Sequence, residues 1–455
     1  MAVRAVRVGM PERVEEVSGA RALVVTGETP EPRAMAARAA PVAATAVTKH
    51  GSTSCHVSRA TNVTTIQVGA CRVPRRVDMG GAGVMRVFRR FTLAFVAVAA
   101  LALAAPEAAH ACTRILWNDN NVAVLASRSA DWLFPTEPEL IASPRGMKRD
   151  GGFFDGQQQI PVNPARWTAR HGSVAVSVFD SAVFDGMNER GLAVHGLWLY
   201  ASDYGPRDPS RQGIRTTLWT QYLLDNAATV EEAIALQAGI QPVEVPMSFP
   251  EGSKAVIPIS IAVEDSSGDS AIMQYIKGEL VVYRGRDYRV LSNDPSYADS
   301  LAALNSYDFT NASRKTPLPG NTNGIDRFIR ASYYANSLRD TSPKSVTGAV
   351  ASLLSVARNV SPPVGAPLYG PGSQEATDWR TVSDLTNLVY YFEPTRRLAI
   401  LKTDLKKLDF RAKAPLQTLD PLTKGFNGDV TGDYTPAKVA PFYGTASPAS
   451  APRTP

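Results

Sequence analysis

The chain has 455 residues, of which 44% are hydrophobic and 20% are charged, and this composition excludes fibrous, wholly disordered and multi-span membrane proteins. Its formal charge of +6 is uneven, because residues 1–111 hold 14 Lys and Arg against 7 Asp and Glu, whereas residues 112–455 hold 34 against 35. The larger part of the chain is therefore close to neutral. Its charge gives no reason to expect a nucleic-acid partner.

Residues 1–84 precede a complete export signal and contain none of the 36 aromatic residues of the chain. A segment so poor in large apolar side chains has little with which to build a packed core. We expect either that translation starts at Met85 or that residues 1–84 form a disordered leader. At the other end, the Pro- and Ala-rich stretch 436–455 predicts a flexible tail. The folded domain is then 112–435.

Residues 85–111 have the three parts of a secretory signal peptide. The basic start MRVFRR precedes the 15 apolar residues FTLAFVAVAALALAA, and Ala109-His110-Ala111 forms a small-x-small site directly before Cys112. Because about 20 apolar residues are needed to span a bilayer, a cleaved signal is favoured over a membrane anchor. We expect a mature protein that begins at Cys112, is periplasmic or secreted, and has no stable membrane span.

Cys112 is the only cysteine after the predicted cleavage site, since Cys55 and Cys71 lie in the leader. An exported protein with one cysteine has no internal disulfide and carries a free thiol. One interpretation is a lipid-anchored envelope binding protein in which Cys112 is acylated. Lipoprotein signals usually have Leu three residues before the cysteine, where this chain has Ala109. His110, two residues before the cysteine, is also bulky for such a signal, so the sequence fits this interpretation poorly.

The other interpretation is a hydrolase in which cleavage exposes an α-amine on the residue that carries the thiol. An α-amine has a reference pKa of about 8 and can serve as the base for the neighbouring nucleophile. His171 and His195 are the only histidines after Cys112, and no cluster of His, Cys and carboxylates has the spacing of metal ligands. Chemistry without a histidine base needs another base, and we expect no cofactor.

The sequence of the domain predicts several strands and four helices. Strand-like runs between turn clusters are typical of antiparallel meanders and cover 122–126, 174–178, 192–199, 256–263, 271–276, 280–283, 288–291, 385–392 and 398–404. Helical periodicity covers 216–224, 230–237, 325–338 and 345–358. Thr229 and Glu232 fit a capping box at the second helix. Sheets that bury their outer faces under helices give a layered α/β body.

Four segments resemble the choloylglycine hydrolase and penicillin V acylase family of linear-amide hydrolases, which are Ntn-hydrolases (N-terminal nucleophile hydrolases). CTRILWNDNNVAVLASRSADW, followed by PRGMKRDGG, places Arg128 and Asp131 16 and 19 residues after Cys112. DGMNERGLAVHGLWL, VLSNDPSY and LPGNTNGIDRF follow in family order at 185–199, 290–297 and 318–328. The resemblance covers about 112–410. It implies an α/β fold, the four-layer αββα sandwich of antiparallel sheets covered by helices.

The resemblance also implies a catalytic site, with Cys112 as the nucleophile and Arg128, Asp131, Asn293 and Arg327 around it. A permanent cation such as Arg128 beside a thiol favours the thiolate. Asp131 would hold the α-amine, the amide NH₂ of Asn293 would face the developing oxyanion, and Arg327 would add a second positive charge. Taken singly, Arg128 and Asp131 also fit a structural ion pair. Asn293 also fits a turn former, and Arg327 fits an exposed position on a helix.

Trp198 occupies a position where many family members, bile-salt hydrolases especially, carry Asn. The exchange places an aromatic wall beside the substrate and is similar to Gram-negative penicillin V acylase-like members. The resemblance implies a small-molecule amide substrate that is cleaved through a thioester on Cys112, in descending order penicillin V, an N-acyl homoserine lactone or a conjugated bile salt. It also implies a homotetramer. We expect the loops 133–142 and 200–212 to shape the pocket.

Overall fold

The computed structural model describes residues 112–249, 252–370 and 373–437, together with the backbone of 12–17 and 20–26. The predicted signal peptide, the rest of the leader and nearly all of the predicted tail lie outside the described residues. The described part of the leader consists of two strands, Glu12–Val17 and Ala20–Thr26, whose valines have high strand propensity.

Two sheets form the centre of the domain. In the described residues the larger sheet has eleven strands, in the spatial order Glu12–Val17, Ala20–Thr26, Glu279–Arg284, Ser270–Ile276, Ile259–Asp265, Leu192–Trp198, Ala182–Asn188, Ser173–Val178, Glu139–Ser143, Gln417–Leu419 and Thr435–Pro436. The smaller sheet has seven, in the order Val290–Ser292, Thr113–Trp117, Leu125–Trp132, Ala376–Asp384, Val389–Pro394, Leu401–Asp404 and Gly428–Asp429. Most neighbouring strands are antiparallel, as the meander pattern predicts.

Helices cover the outer faces of both sheets. Thr216–Asn226 and Val230–Ala235 pack on the larger sheet, Gly324–Leu338 and Val346–Asn359 pack on the smaller sheet, and Tyr297–Leu304 packs on Gly324–Leu338. The layers therefore follow the αββα order that the resemblance implies. Short strand pairs lie outside the two sheets: Gln212–Arg215 with Ile240–Val243, Met247–Ser248 with Lys254–Ala255, Lys148–Asp150 with Arg166–Thr168, Phe153–Phe154 with Gln157–Gln158, and Pro367–Gly370 with Ser373–Gln374.

The limits of several predicted elements differ from the structure. The predicted strand 385–392 is wrong, because 385–388 form a turn in which Leu388 has a φ of 59°, and the next strand starts at Val389. The predicted strand 122–126 starts only at Leu125, since Asn120 Oδ1 accepts from the backbone of 122 and 123 in a turn. The Thr229 cap is confirmed, because its hydroxyl accepts from the backbone nitrogen of Glu232. The return bond of the box differs, since Glu232 Oε2 accepts from the backbone nitrogen of Ala228 instead of that of Thr229.

Charged side chains lie between the two sheets among the apolar ones. His195 Nδ1 is 2.7 Å from Asp185 Oδ1, and His195 Nε2 is 2.6 Å from Glu264 Oε1. Arg114 Nε reaches across from the smaller sheet and donates to Glu264 Oε2 at 3.1 Å. These four residues, which we call the charged quartet, are fully buried. With His195 protonated their charges sum to zero, and each charge is hydrogen-bonded, as buried ions require.

The quartet predicts a pH-dependent stability. Burial alone would lower the pKa of His195, but Glu264 and Asp185 raise it to about 9. An imidazolium with a raised pKa stabilises the fold fully below the unfolded pKa, and this contribution is lost as the pH rises through the folded pKa.

We therefore expect the free energy of unfolding to fall between pH 6.5 and about 9, by on the order of 3 kcal/mol. Urea unfolding across this window measures the slope. His195→Gln should flatten it, and an equal slope in that variant would contradict the assignment.

Gly324 allows the helix Gly324–Leu338 to begin directly against the segment that follows the strand Val290–Ser292. A Cβ at Gly324 would lie 2.0 Å from the carbonyl oxygen of Asp294. On the other side, Ser292 Oγ donates to the carbonyl of Gly324 at 2.8 Å. No side chain larger than hydrogen fits this contact without a shift of the backbone.

Gly324→Ala should force the helix and this segment apart and lower the free energy of unfolding by about 1–3 kcal/mol. Gly320→Ala is the matched control, because a Cβ there has no atom within 4 Å, and it should change stability by less than about 0.5 kcal/mol. Denaturant unfolding of both variants gives the comparison. Similar losses in the two would show that the contact is not required.

Candidate active site

Strand pairing in the smaller sheet brings the predicted site residues together. The strand Thr113–Trp117 lies between two neighbours, and its register sets Thr113 opposite Ser129 on one side and Ser292 on the other. Cys112 therefore adjoins the end of Leu125–Trp132 and also Asn293. Residues that are far apart in the sequence become neighbours because one strand pairs on both edges.

Cys112 is buried, with 5% of its surface exposed. Its backbone nitrogen donates to Asn293 Oδ1 at 2.8 Å. Arg128 Nη2 lies 3.4 Å from Cys112 Sγ and also donates to the carbonyl of Gly196 at 3.1 Å. The resemblance implied Asp131 as the acceptor for the nitrogen of Cys112, whereas here the amide oxygen of Asn293 takes this bond.

Asp131 is buried beneath Cys112 and is hydrogen-bonded on both carboxylate oxygens. Oδ2 accepts from Arg327 Nη1 at 3.0 Å and from Ser129 Oγ at 3.3 Å, while Oδ1 accepts from Thr377 Oγ1 at 2.5 Å. Arg327 is fully buried rather than exposed, and it also donates to Thr113 Oγ1 at 2.7 Å. It thus ties its helix to the strand that follows Cys112. Burial raises the pKa of Asp131, although Arg327 and Thr377 act to lower it.

The thiol of Cys112 is less acidic than the sequence suggested. Burial raises its pKa, and this effect outweighs the opposing influence of Arg128 and Arg327, while Asp131 adds to the rise. Arg128 does lower the pKa of the thiol, as expected of a neighbouring cation, but not enough to offset burial. A protonated thiol needs a base that removes its proton as it attacks.

A pocket extends from Cys112. Most of its other lining side chains are aromatic or aliphatic, among them Ala130, Trp132, Val178, Phe179, Phe184, Trp198, Ile257, Ile259 and Trp379. The Trp132 ring is central, with its centroid 5.6 Å from that of Trp198, 5.7 Å from that of Phe179 and 5.9 Å from that of Phe249. Trp198 lies in the pocket wall, where the sequence placed it.

Sequence reasoning missed several residues of the site. Loop 133–142 supplies Thr136 to the lining. Loop 200–212 supplies none of the described lining residues, but the ring of Tyr200 lies 5.2 Å from that of Trp198. Phe179 enters the pocket from a turn in which its φ is 55°, a conformation that aromatic residues rarely adopt. Thr377 reaches Asp131 because the two are paired across strands. Nothing in the sequence alone signals either contact.

The described residues contain no group of three His, Cys, Asp or Glu side chains that could hold a metal ion. Within the same part of the chain, no helix is both long enough and apolar enough to cross a membrane.

An αββα sandwich with a cysteine at the start of a central strand is the architecture of the Ntn-hydrolases. The chain belongs to the choloylglycine hydrolase family of linear amide C–N hydrolases, whose sequence profile matches residues 112–423. It is 34% identical over 359 residues to a penicillin V acylase of Pectobacterium atrosepticum, which covers 73% of this chain and 92% of that protein.

Solved structures agree with this membership. A penicillin V acylase from Agrobacterium tumefaciens superimposes with a TM-score of 0.63 at 34% identity, covering 73% of this chain and 98% of that one. A conjugated bile acid hydrolase from Clostridium perfringens shares the fold, with a TM-score of 0.58 at 19% identity and coverage of 70% and 98%. The family and these relatives identify the protein as a linear amide C–N hydrolase.

Thr377 provides a test of how Asp131 is held. Thr377→Val keeps the shape of the side chain and removes the bond to Asp131, so it should raise the pKa of this carboxyl further. We expect a loss of stability of about 1–3 kcal/mol, as for a hydrogen bond to a charged group, and an upward shift of the acid limb of the pH–activity profile.

The matched control is Thr403→Val, which removes a buried hydroxyl from the same sheet, 3.1 Å from Tyr434 OH. It should lower stability without moving the acid limb. If both variants move the limb equally, the effect does not come from Asp131.

Proposed function

We propose that the protein is exported, is cleaved before Cys112, and hydrolyses a linear amide with Cys112 as the nucleophile in the periplasm or outside the cell. One observation carries this proposal: Cys112 Sγ lies at the base of an apolar pocket, while the nitrogen that cleavage would free is held 2.8 Å from Asn293 Oδ1. The predicted signal ends directly before the residue that faces the pocket.

The freed α-amine serves as the base that the buried thiol requires. As Sγ attacks the substrate carbonyl, the neutral amine takes the thiol proton, and it then passes this proton to the leaving nitrogen as the C–N bond breaks. A thioester remains on Cys112. Water attacks the thioester, its proton goes to the same amine, and the acid product leaves as the thiol is restored.

The surrounding residues hold these groups in place. Asn293 Oδ1 accepts from the amine, and we assign its NH₂ group to the oxyanion that develops on the substrate carbonyl. Arg128 stabilises negative charge as it develops on Sγ, from 3.4 Å away. Arg327 donates to Thr113 Oγ1 and to Asp131 Oδ2, and this pair fixes the strand that begins beside the nucleophile.

The pocket favours an aryl or linear acyl group over a steroid. The rings of Trp132, Phe179 and Trp198 surround a space in which a flat acyl group can form edge-to-face contacts. Penicillin V, which carries a phenoxyacetyl group, is therefore the first candidate substrate, followed by N-acyl homoserine lactones. Conjugated bile salts come last, because Trp198 replaces the polar residue of many bile-salt hydrolases.

The alternative, a lipid-anchored binding protein, conflicts with the position of Cys112. Only 5% of the surface of Cys112 is exposed. An acyl group on its thiol would point into the pocket and could not reach a membrane. We also propose that the protein assembles as a homotetramer, the state that is common in the family.

The test has two parts, the mass of the exported protein and its activity. Intact mass should show a chain that begins at Cys112 with a free amine. Hydrolysis should be fastest for penicillin V among the three substrates. A diacylglyceryl adduct, or a chain that begins several residues away, would contradict the proposal.

Cys112→Ser supplies the matched control for the nucleophile. It keeps nearly the same volume and still frees an α-amine, but its hydroxyl is a much weaker nucleophile. Turnover should fall by orders of magnitude while substrate binding, measured by calorimetry, persists. Undiminished turnover in Cys112→Ser would contradict the assigned role of the thiol.

A further inference from the structure

Arg128 lies in the middle of a row of side chains on the smaller sheet. Strand register places Arg114 directly opposite Arg128 on one neighbouring strand and Thr381 directly opposite it on the other. Directly paired residues project to the same face of an antiparallel sheet, with Cβ atoms about 4.5–5.5 Å apart. The row Arg114, Arg128 and Thr381 therefore faces the larger sheet.

A second row faces it from the larger sheet. Asp185 and His195 are paired directly, and Glu264 lies on the next strand along. The ends of the two rows are joined, because Arg114 binds Glu264, and Thr381 Oγ1 donates to Asp185 Oδ2. His195 lies between the two carboxylates of its row. Arg128 likewise lies between Arg114 and Thr381 in the first row.

Arg128 forms no ion pair with these carboxylates among the described residues. Its Nη2 is directed at Cys112 Sγ and at the carbonyl of Gly196, its guanidinium lies 4.7 Å from the ring centroid of Trp379, and its Nε and Nη1 have no hydrogen-bond partner in the part of the chain that the structure describes. A buried guanidinium beside buried carboxylates would ordinarily bind them, because such pairs form strong hydrogen bonds.

The carboxylates are engaged elsewhere. Asp185 Oδ1 faces His195, and Asp185 Oδ2 accepts from Thr381 and, at 3.2 Å, from Tyr390 OH. Glu264 Oε1 faces the other ring nitrogen of His195. A single imidazolium therefore engages one oxygen of each carboxylate and neutralises one of the two negative charges.

We propose that His195 is a positioning residue: it binds Asp185 and Glu264 and thereby leaves Arg128 directed at Cys112. The inference rests on the proposed role of Cys112 as nucleophile. It gives the histidine of the GLAVHGLWL segment a function that is neither base nor metal ligand. The groups that face this region are Arg114, Arg128 and Tyr390 from the smaller sheet and the two carboxylates from the larger one.

The sign of the effect follows from the charges. Without the imidazolium, two buried carboxylates would share Arg114 alone, and the surplus negative charge would attract Arg128 away from Cys112 Sγ. The thiolate would then lose its nearest positive charge. Its pKa would rise, and the attack on the amide would slow, with little effect on substrate binding in the apolar pocket.

His195→Gln tests this in the exported protein, since Gln retains hydrogen-bonding groups but carries no charge. The rate of alkylation of Cys112 by iodoacetamide, measured against pH without substrate, should show a higher thiol pKa and fall about tenfold at neutral pH for a shift of one unit. We expect kcat to fall with KM little changed.

The double variant His195→Gln/Asp185→Asn restores the charge balance and should recover the wild-type alkylation profile. If the double variant is as impaired as the single one, His195 has only a packing role and the inference is overturned. Asp225→Asn is the control, because it breaks a buried ion pair with Arg149, which lies outside the charged quartet. It should lower stability and leave the thiol pKa unchanged.

A spectroscopic measurement decides the matter even if His195→Gln does not fold. Residues 112–455 contain only two histidines, His171 and His195, so ¹⁵N-histidine spectra can be assigned with His171→Gln. His195 should remain doubly protonated at pH 8, and a neutral ring at pH 7 would overturn the inference. An active Cys112→Ser variant would instead refute the proposed function, so the two failures are distinguishable.

Discussion

The central position of the strand Thr113–Trp117 is the constraint on which the site depends. Because this strand pairs on both edges, a single register sets Cys112 beside Arg128 on one side and beside Asn293 on the other. Side chains alternate between the faces of a strand, so a shift of one residue would turn Cys112 towards the covering helices. Cys112, the guanidinium beside it and the acceptor for its nitrogen are thus placed by the backbone hydrogen bonds of one strand, which are less easily perturbed than loop contacts.

Burial disfavours negative charge at two places in this protein. It raises the pKa of the Cys112 thiol, so that attack by this thiol would need a base. It also makes unpaired carboxylates costly between the sheets, and there the charged quartet satisfies them. The site and the interior are therefore connected: Arg128 belongs to the inner face that meets the quartet, and its contact with Cys112 depends on where the neighbouring negative charges are held.

Much of this arrangement could be predicted from the sequence, since the family motifs named Cys112, Arg128, Asp131, Asn293 and Arg327 and implied the layers. What could not be predicted depends on pairing partners. His195 was interpreted only as one of two histidines unsuited to catalysis, because nothing in the sequence places it opposite Asp185. The strand expected over 385–392 contains a turn at 385–388. The sequence did not reveal this turn, because the apolar residues before and after it give the same local pattern as a continuous strand. Asn293 was assigned its NH₂ group alone, because hydrogen-bond direction depends on geometry.

The aromatic lining has a consequence for spectroscopy. Three of the six tryptophans of the chain, Trp132, Trp198 and Trp379, line the pocket, and the guanidinium beside Cys112 lies over one of them. Indole emission responds to local charge and to the exclusion of water. A ligand in the pocket should therefore alter the emission of half of the tryptophans at once. The enzyme carries its own optical reporter of occupancy, which needs no dye, tag or chromogenic substrate.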